Sequence, residues 1–72
     1  MMDDVLNAII RRLLEDADDA VEDLQEHPKD LYCQGVKTAY YMVLDTIKNT
    51  LLQEDCDPAD FGLDIDLDKK YL

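Results

Sequence analysis

"VLNAIIRRLLEDADDAVEDL", residues 5–24, decides the fold of this chain. Leu6, Ile10, Leu13, Ala17, Ala20 and Leu24 recur at intervals of 4, 3, 4, 3 and 4. That spacing lines one face of an α-helix and forms a heptad seam, with Leu6, Leu13 and Ala20 at d and Ile10, Ala17 and Leu24 at a. Ile9, Leu14 and Val21 flank the seam and widen the apolar stripe. Most other positions are acidic and fall on the opposite, water-facing side. Upstream, Asp3 and Asp4 suit a helix start, where carboxylates meet free amides and the positive end of the dipole. Downstream, His27 and Pro28 stop the helix, because the residue before proline is pushed out of helical geometry. The pattern predicts a helix over about 3–26.

A second helix is expected over about 29–53. Its stripe reads Tyr32, Val36, Ala39, Tyr40, Val43, Ile47 and Leu51, with Leu31, Cys33, Leu44 and Leu52 beside it and Asp30 in the first turn. Two helices of similar length joined by a short link pair antiparallel. Gly35 and Ala39 place two small residues one turn apart, either for the close approach of a neighbour or as a glycine tolerated near a helix start. Ala17 and Ala20 make a similar patch on the first helix, which Tyr40 or Tyr41 could fill.

"CDPADFG", residues 56–62, carries the signals of one short helical turn over about 58–61. Asp57 caps, Pro58 fits the first helical position and Gly62 suits the left-handed residue that ends it. The closing run alternates Leu63, Ile65 and Leu67 with Asp64, Asp66 and Asp68, which reads as an extended segment with its apolar residues inward. A lone strand is not stable, so residues 62–72 are expected as an extended tail docked on the helices. The fold class is all-α: a single helical domain over 1–72, built as an antiparallel two-helix hairpin with a short third turn. Apolar width beyond a two-helix seam predicts that two hairpins form a four-helix bundle as a homodimer.

Composition bounds the function. The 72 residues include 18 acidic and 7 basic ones, for a net charge of −11. Such a chain repels phosphates, which argues against direct nucleic-acid binding and against anionic membranes. The acidic start lacks the positive charge of a secretory signal, and no run approaches a membrane span. A cytoplasmic protein with Cys33 and Cys56 as reduced, partly buried thiols is expected. They form no CxxC pair, so zinc is not indicated.

Familiar site patterns fail on these residues. An EF-hand loop needs oxygen ligands at positions 1, 3, 5 and 12 and glycine at 6. From Asp57, Ala59 and Phe61 spoil positions 3 and 5. From Asp64, Lys69 occupies position 6 and the sequence stops before 12. From Asp55, Asp60 stands where glycine belongs. Glu15 to Asp18 and Asp19 to Glu22 have the spacing of magnesium ligands in all-helical pyrophosphatases, but Asp30 and Asp45 cannot supply the facing pair. A di-iron Glu-x-x-His pattern fails, since Leu24 precedes His27 by three. The chain has no serine, and no third group orients a Cys33–His27 pair. The reading is therefore no enzyme, no cofactor and no metal.

"DLYCQGVKTAYYMVLDTIKNTL" and "DFGLDIDLDKKYL" resemble small helical proteins encoded in prophages and conjugative elements of Gram-positive bacteria. The shared features are the aromatic residue before Gln34-Gly35, Ala39-Tyr40-Tyr41, Val43-Leu44, Ile47-Lys48 and Gly62-Leu63-Asp64. The resemblance covers about the last two thirds of the chain. It implies a bacterial accessory protein and carries no activity to any residue.

Two functions follow. The first is a protein-interaction or self-association module, with an interface drawn from Ile9, Leu14, Val21, Gly35, Ala39 and Leu44 and a basic or apolar partner or a second copy. The alternative is an inhibitor that mimics nucleic acid through the acidic face Glu15, Asp19, Glu22, Asp23 and Glu26.

Overall fold

The computed structural model describes residues 2–72, and these form three α-helices and one 3₁₀ turn. Helix α1 spans Met2–Glu26 and α2 spans Leu31–Gln53. The second helix starts two residues later than its pattern implies, because Asp30 is the cap rather than part of the first turn. Its carboxylate accepts from the backbone N–H groups of Tyr32 and Cys33, at 2.9 and 3.4 Å, satisfying two amides with no intrahelical partner. The two helices run antiparallel. Ala20 and Asp23 of α1 lie beside Tyr32 and Val36 at the start of α2. Asn7, Arg11 and Leu14 lie beside Phe61 and Gly62, just past its end.

Helix α2 ends on a left-handed residue that is not glycine. Asp55 has φ 59°, its N–H donates to the Leu52 carbonyl at 3.2 Å, and the Cys56 N–H donates to the Leu51 carbonyl at 2.8 Å. This bond pair closes a Schellman motif. It turns the chain back toward α1, where Asp57 caps the 3₁₀ turn Pro58–Phe61 by accepting from the Ala59 N–H at 3.0 Å. Gly62 ends that turn at φ 74°, in the left-handed region that glycine enters without steric cost.

The tail is not extended throughout. Residues 67–71 form a third helix, α3 (Leu67–Tyr71), capped by Asp66, whose carboxylate accepts from the Lys69 N–H at 3.1 Å. The alternating pattern hides a second period: Leu63, Leu67 and Tyr71 are spaced by four, and all three are buried. Ile65, inward in an extended reading, is only half-buried. Residues 67–71 take helical geometry because burial of Leu67 and Tyr71 on one side satisfies more apolar surface than a strand with no partner strand could.

The core contains Ile10, Ala17, Ala20, Leu44, Leu51, Leu63, Leu67 and Tyr71. On α1 the predicted seam faces inward. On α2 the stripe is rotated by about one residue. Leu44 is 0% exposed, whereas Val43 is 44% and Tyr32 78% exposed. The inward line runs through Cys33, Tyr40, Leu44, Ile47 and Leu51, with Lys37, Tyr41 and Lys48 half-buried beside it. The tail causes this rotation through its bonds to Lys37, Tyr41 and Lys48.

Candidate functional site

The hairpin has two faces, and the tail covers one of them. Lys48 donates from Nζ to the Ile65 carbonyl at 2.7 Å, and Lys37 donates to the Leu72 carbonyl at 3.2 Å. Tyr41 donates its hydroxyl to an Asp68 carboxylate oxygen. The Asp68 bond, burial and nearby carboxylates push the Tyr41 phenol up to about 12. From the far side, Tyr71 donates to Asp18 Oδ1 of α1 at 2.7 Å, and Lys70 pairs with the same oxygen at 3.2 Å. Burial, and then the Asp18 bond, raise the Tyr71 phenol above its ordinary value. The Lys70 ammonium is likewise raised, by Tyr71 first and Asp18 second. Three of the chain's basic residues thus hold the tail. Tyr41 is committed to Asp68 rather than to the small patch at Ala17 and Ala20.

The opposite face is open. At about 100° per residue, Val43, Val36, Tyr32 and Ala39 lie to one side of Leu44, while Lys37, Lys48 and Asp45 lie to the other. Those three are the only charged residues in α2. The exposed flank of α2 is therefore Tyr32, Gly35, Ala39, Met42, Val43, Thr46 and Thr50, without a single charge. In a chain that is 35% charged, a bare helix flank of this length is unusual surface. Helix α1 adds Val5 and the half-exposed Ile9 to the same side. A hollow of about 150 Å³ lies at the hairpin end of this face, lined by Ala20, Asp23, Tyr32, Cys33 and Val36. Small-molecule sites measure about 300–1,000 Å³, so the hollow suits a side chain rather than a ligand.

The residues expected at an interface separate into three groups. Ile9, Gly35 and Ala39 are exposed on the open face. Leu14 and Val21 are half-buried and pack against the core. Leu44 is not an interface residue: it is the centre of the intrachain seam on α2. Its neighbour Val43 takes the exposed position, and only the rotation imposed by the tail reveals this. A Cβ built on Gly35 would meet nothing within 4 Å. The glycine costs about 1 kcal/mol in helix propensity, and no contact inside the chain requires it.

The acidic residues Glu15, Asp19, Glu22, Asp23 and Glu26 are all exposed, as their place opposite the seam predicts. Among the described residues no group of three or more His, Cys, Asp or Glu side chains is arranged to hold a metal ion. No described helix is long and apolar enough to cross a membrane. Cys33 is half-buried and Cys56, expected to be partly covered, is exposed; both are free thiols. No family model, no curated protein and no solved structure matches the chain.

Proposed function

We propose that this chain is a non-enzymatic protein-interaction and self-association module that works through the open face of its hairpin. The carrying observation is the uncharged, exposed flank of α2 between Tyr32 and Thr50 in a chain of net charge −11. An uncharged stripe that exposes Tyr32, Met42 and Val43 and is rimmed by polar residues has the character of an interaction site. The resemblance to proteins of bacterial mobile elements supports a cytoplasmic accessory role, and the self-associated form is a dimeric four-helix bundle. A neutral apolar or basic protein is the alternative occupant.

The test is capture from a bacterial host extract by the immobilised chain, compared with Val43→Glu and with a triple glutamine variant at Asp19, Glu22 and Glu26, which lie away from the hollow. A complex lost with Val43→Glu and retained by the triple variant supports the open face. The reverse pattern supports the second reading, a nucleic-acid mimic. That reading draws support from the full exposure of the acidic face, and its complex would weaken steeply with salt.

A further inference from the structure

We infer that the occupant of the open face is a second copy of this chain, packed α2 against α2 about a twofold axis near Ala39 and Val43; this rests on the interaction reading above. Charge decides the occupant. The outward side of α1 carries Glu15, Asp19, Glu22 and Glu26, and two chains of net charge −11 repel if those sides approach. Among the described residues, the exposed flank of α2 is the one long surface where two copies meet without opposing carboxylates. The part of the open face that belongs to α1 carries Asp16 and Asp23 at its margin, which centres the contact on α2 and leaves the α1 helices at the edge of the four-helix assembly.

Geometry then sets the register. The uncharged flank runs from Tyr32 to Thr50, and Ala39, Met42 and Val43 lie midway. An antiparallel twofold crossing at that midpoint sets Ala39 of one copy opposite Val43 of the other, and Tyr32 of each toward Thr50 of its partner. The same patch serves both copies, as twofold symmetry requires. The empty space over Gly35 admits the approaching helix, since no atom of its own chain fills it. A helix of 23 residues is about 35 Å long and about 10 Å wide, which makes a contact at the small end of protein interfaces. Weak, reversible association is expected of a contact this small.

Sedimentation equilibrium of the full chain over a concentration series tests this, with Val43→Glu, Ala39→Glu and the acidic-face control Glu22→Gln. The expected mass rises from 8.3 kDa toward twice that value. Association tightens as salt screens the repulsion between the two acidic chains. Either glutamate variant keeps the helical circular dichroism and stays at one chain's mass, while Glu22→Gln still dimerises. A wild-type mass of one chain at every concentration overturns the second copy, as does dimerisation of both glutamate variants. Binding of an apolar dye judges the face itself. A monomer that binds dye, and loses it in Val43→Glu, removes the second copy but keeps the interaction reading. A monomer that binds none removes both.

Discussion

At the scale of single residues, Asp55 is the least comfortable position in the chain. It sits at φ 59° to close the Schellman motif after α2. A side chain with a Cβ costs roughly 1–2 kcal/mol in the left-handed region, and glycine avoids that at an entropic cost of about 0.5–1 kcal/mol. Asp55→Gly is therefore expected to stabilise the fold by about 0.5–1 kcal/mol, which raises the melting temperature by a few degrees in a domain of this size. Thermal denaturation checks it. An unchanged or lower midpoint would show that the Asp55 side chain contributes something in place that offsets its backbone strain. Gly62, at φ 74°, already has the residue its geometry wants. The two turns differ in legibility for that reason: Gly62 announces its bend, and Asp55 does not.

At the scale of elements, the tail is part of the core rather than an ornament to it. Leu63, Leu67 and Tyr71 are fully or nearly fully buried, and burying a large apolar side chain is worth about 1.5–3 kcal/mol. Their sum is of the order of the entire stability of a small domain, about 5–15 kcal/mol. Truncation after Asp60 should leave a chain largely unfolded at room temperature by circular dichroism and urea titration. A truncated hairpin that melts like the full chain would refute the tail's place in the core. Alkali offers a milder way to release it. Tyr41 has its phenol pushed from 10.0 to about 12, mainly by the bond to Asp68. The folded state holds that proton more tightly than the unfolded state does. The stabilisation is thus complete below pH 10 and is lost as pH rises toward about 12. Tyr71 and Lys70 are raised too, so they act with the same sign. Absorbance of the phenolate should show Tyr41 ionising well above pH 10, together with loss of the tail. Tyr41→Phe should delete that step; an alkaline titration that the substitution leaves unchanged would contradict it.

At the scale of the whole molecule, charge and shape pull against each other. The chain is a slab of 40 × 20 × 15 Å carrying a net charge of −11. Compact acidic chains repel themselves, and salt relieves this. Salt also weakens the Lys70–Asp18 pair, but both side chains are about half exposed, and such pairs contribute only about 0–1 kcal/mol. Self-repulsion outweighs one exposed pair, so the melting temperature should rise as sodium chloride is added from a low-salt buffer. Calorimetry at a fixed low protein concentration checks this apart from dimerisation. A falling midpoint would mean that the tail's ion pair and lysine bonds matter more than the net charge.

The local grammar of the chain is legible in its sequence alone. Pro28 and Asp30 bracket the hairpin turn, Asp57, Pro58 and Gly62 bound the 3₁₀ turn, and the seam of α1 buries Ile10, Ala17 and Ala20. Each of these outcomes depends on a residue's own backbone preference or on the period of one helix, and both are written in neighbouring positions. The rotation of α2 and the helicity of residues 67–71 are not legible in this way. The apolar width of α2 allows either Val43 or Leu44 to face inward, and "LDIDLDKKY" fits period two as well as spacing by four. Tertiary structure chooses between them. The tail brings Leu67 and Tyr71 into the core, Lys37, Tyr41 and Lys48 turn to bond it, and Val43 is left facing water on the open side. A choice between two locally acceptable registers is decided by which one buries more apolar surface and pairs more polar groups, and that sum runs over residues far apart in the chain.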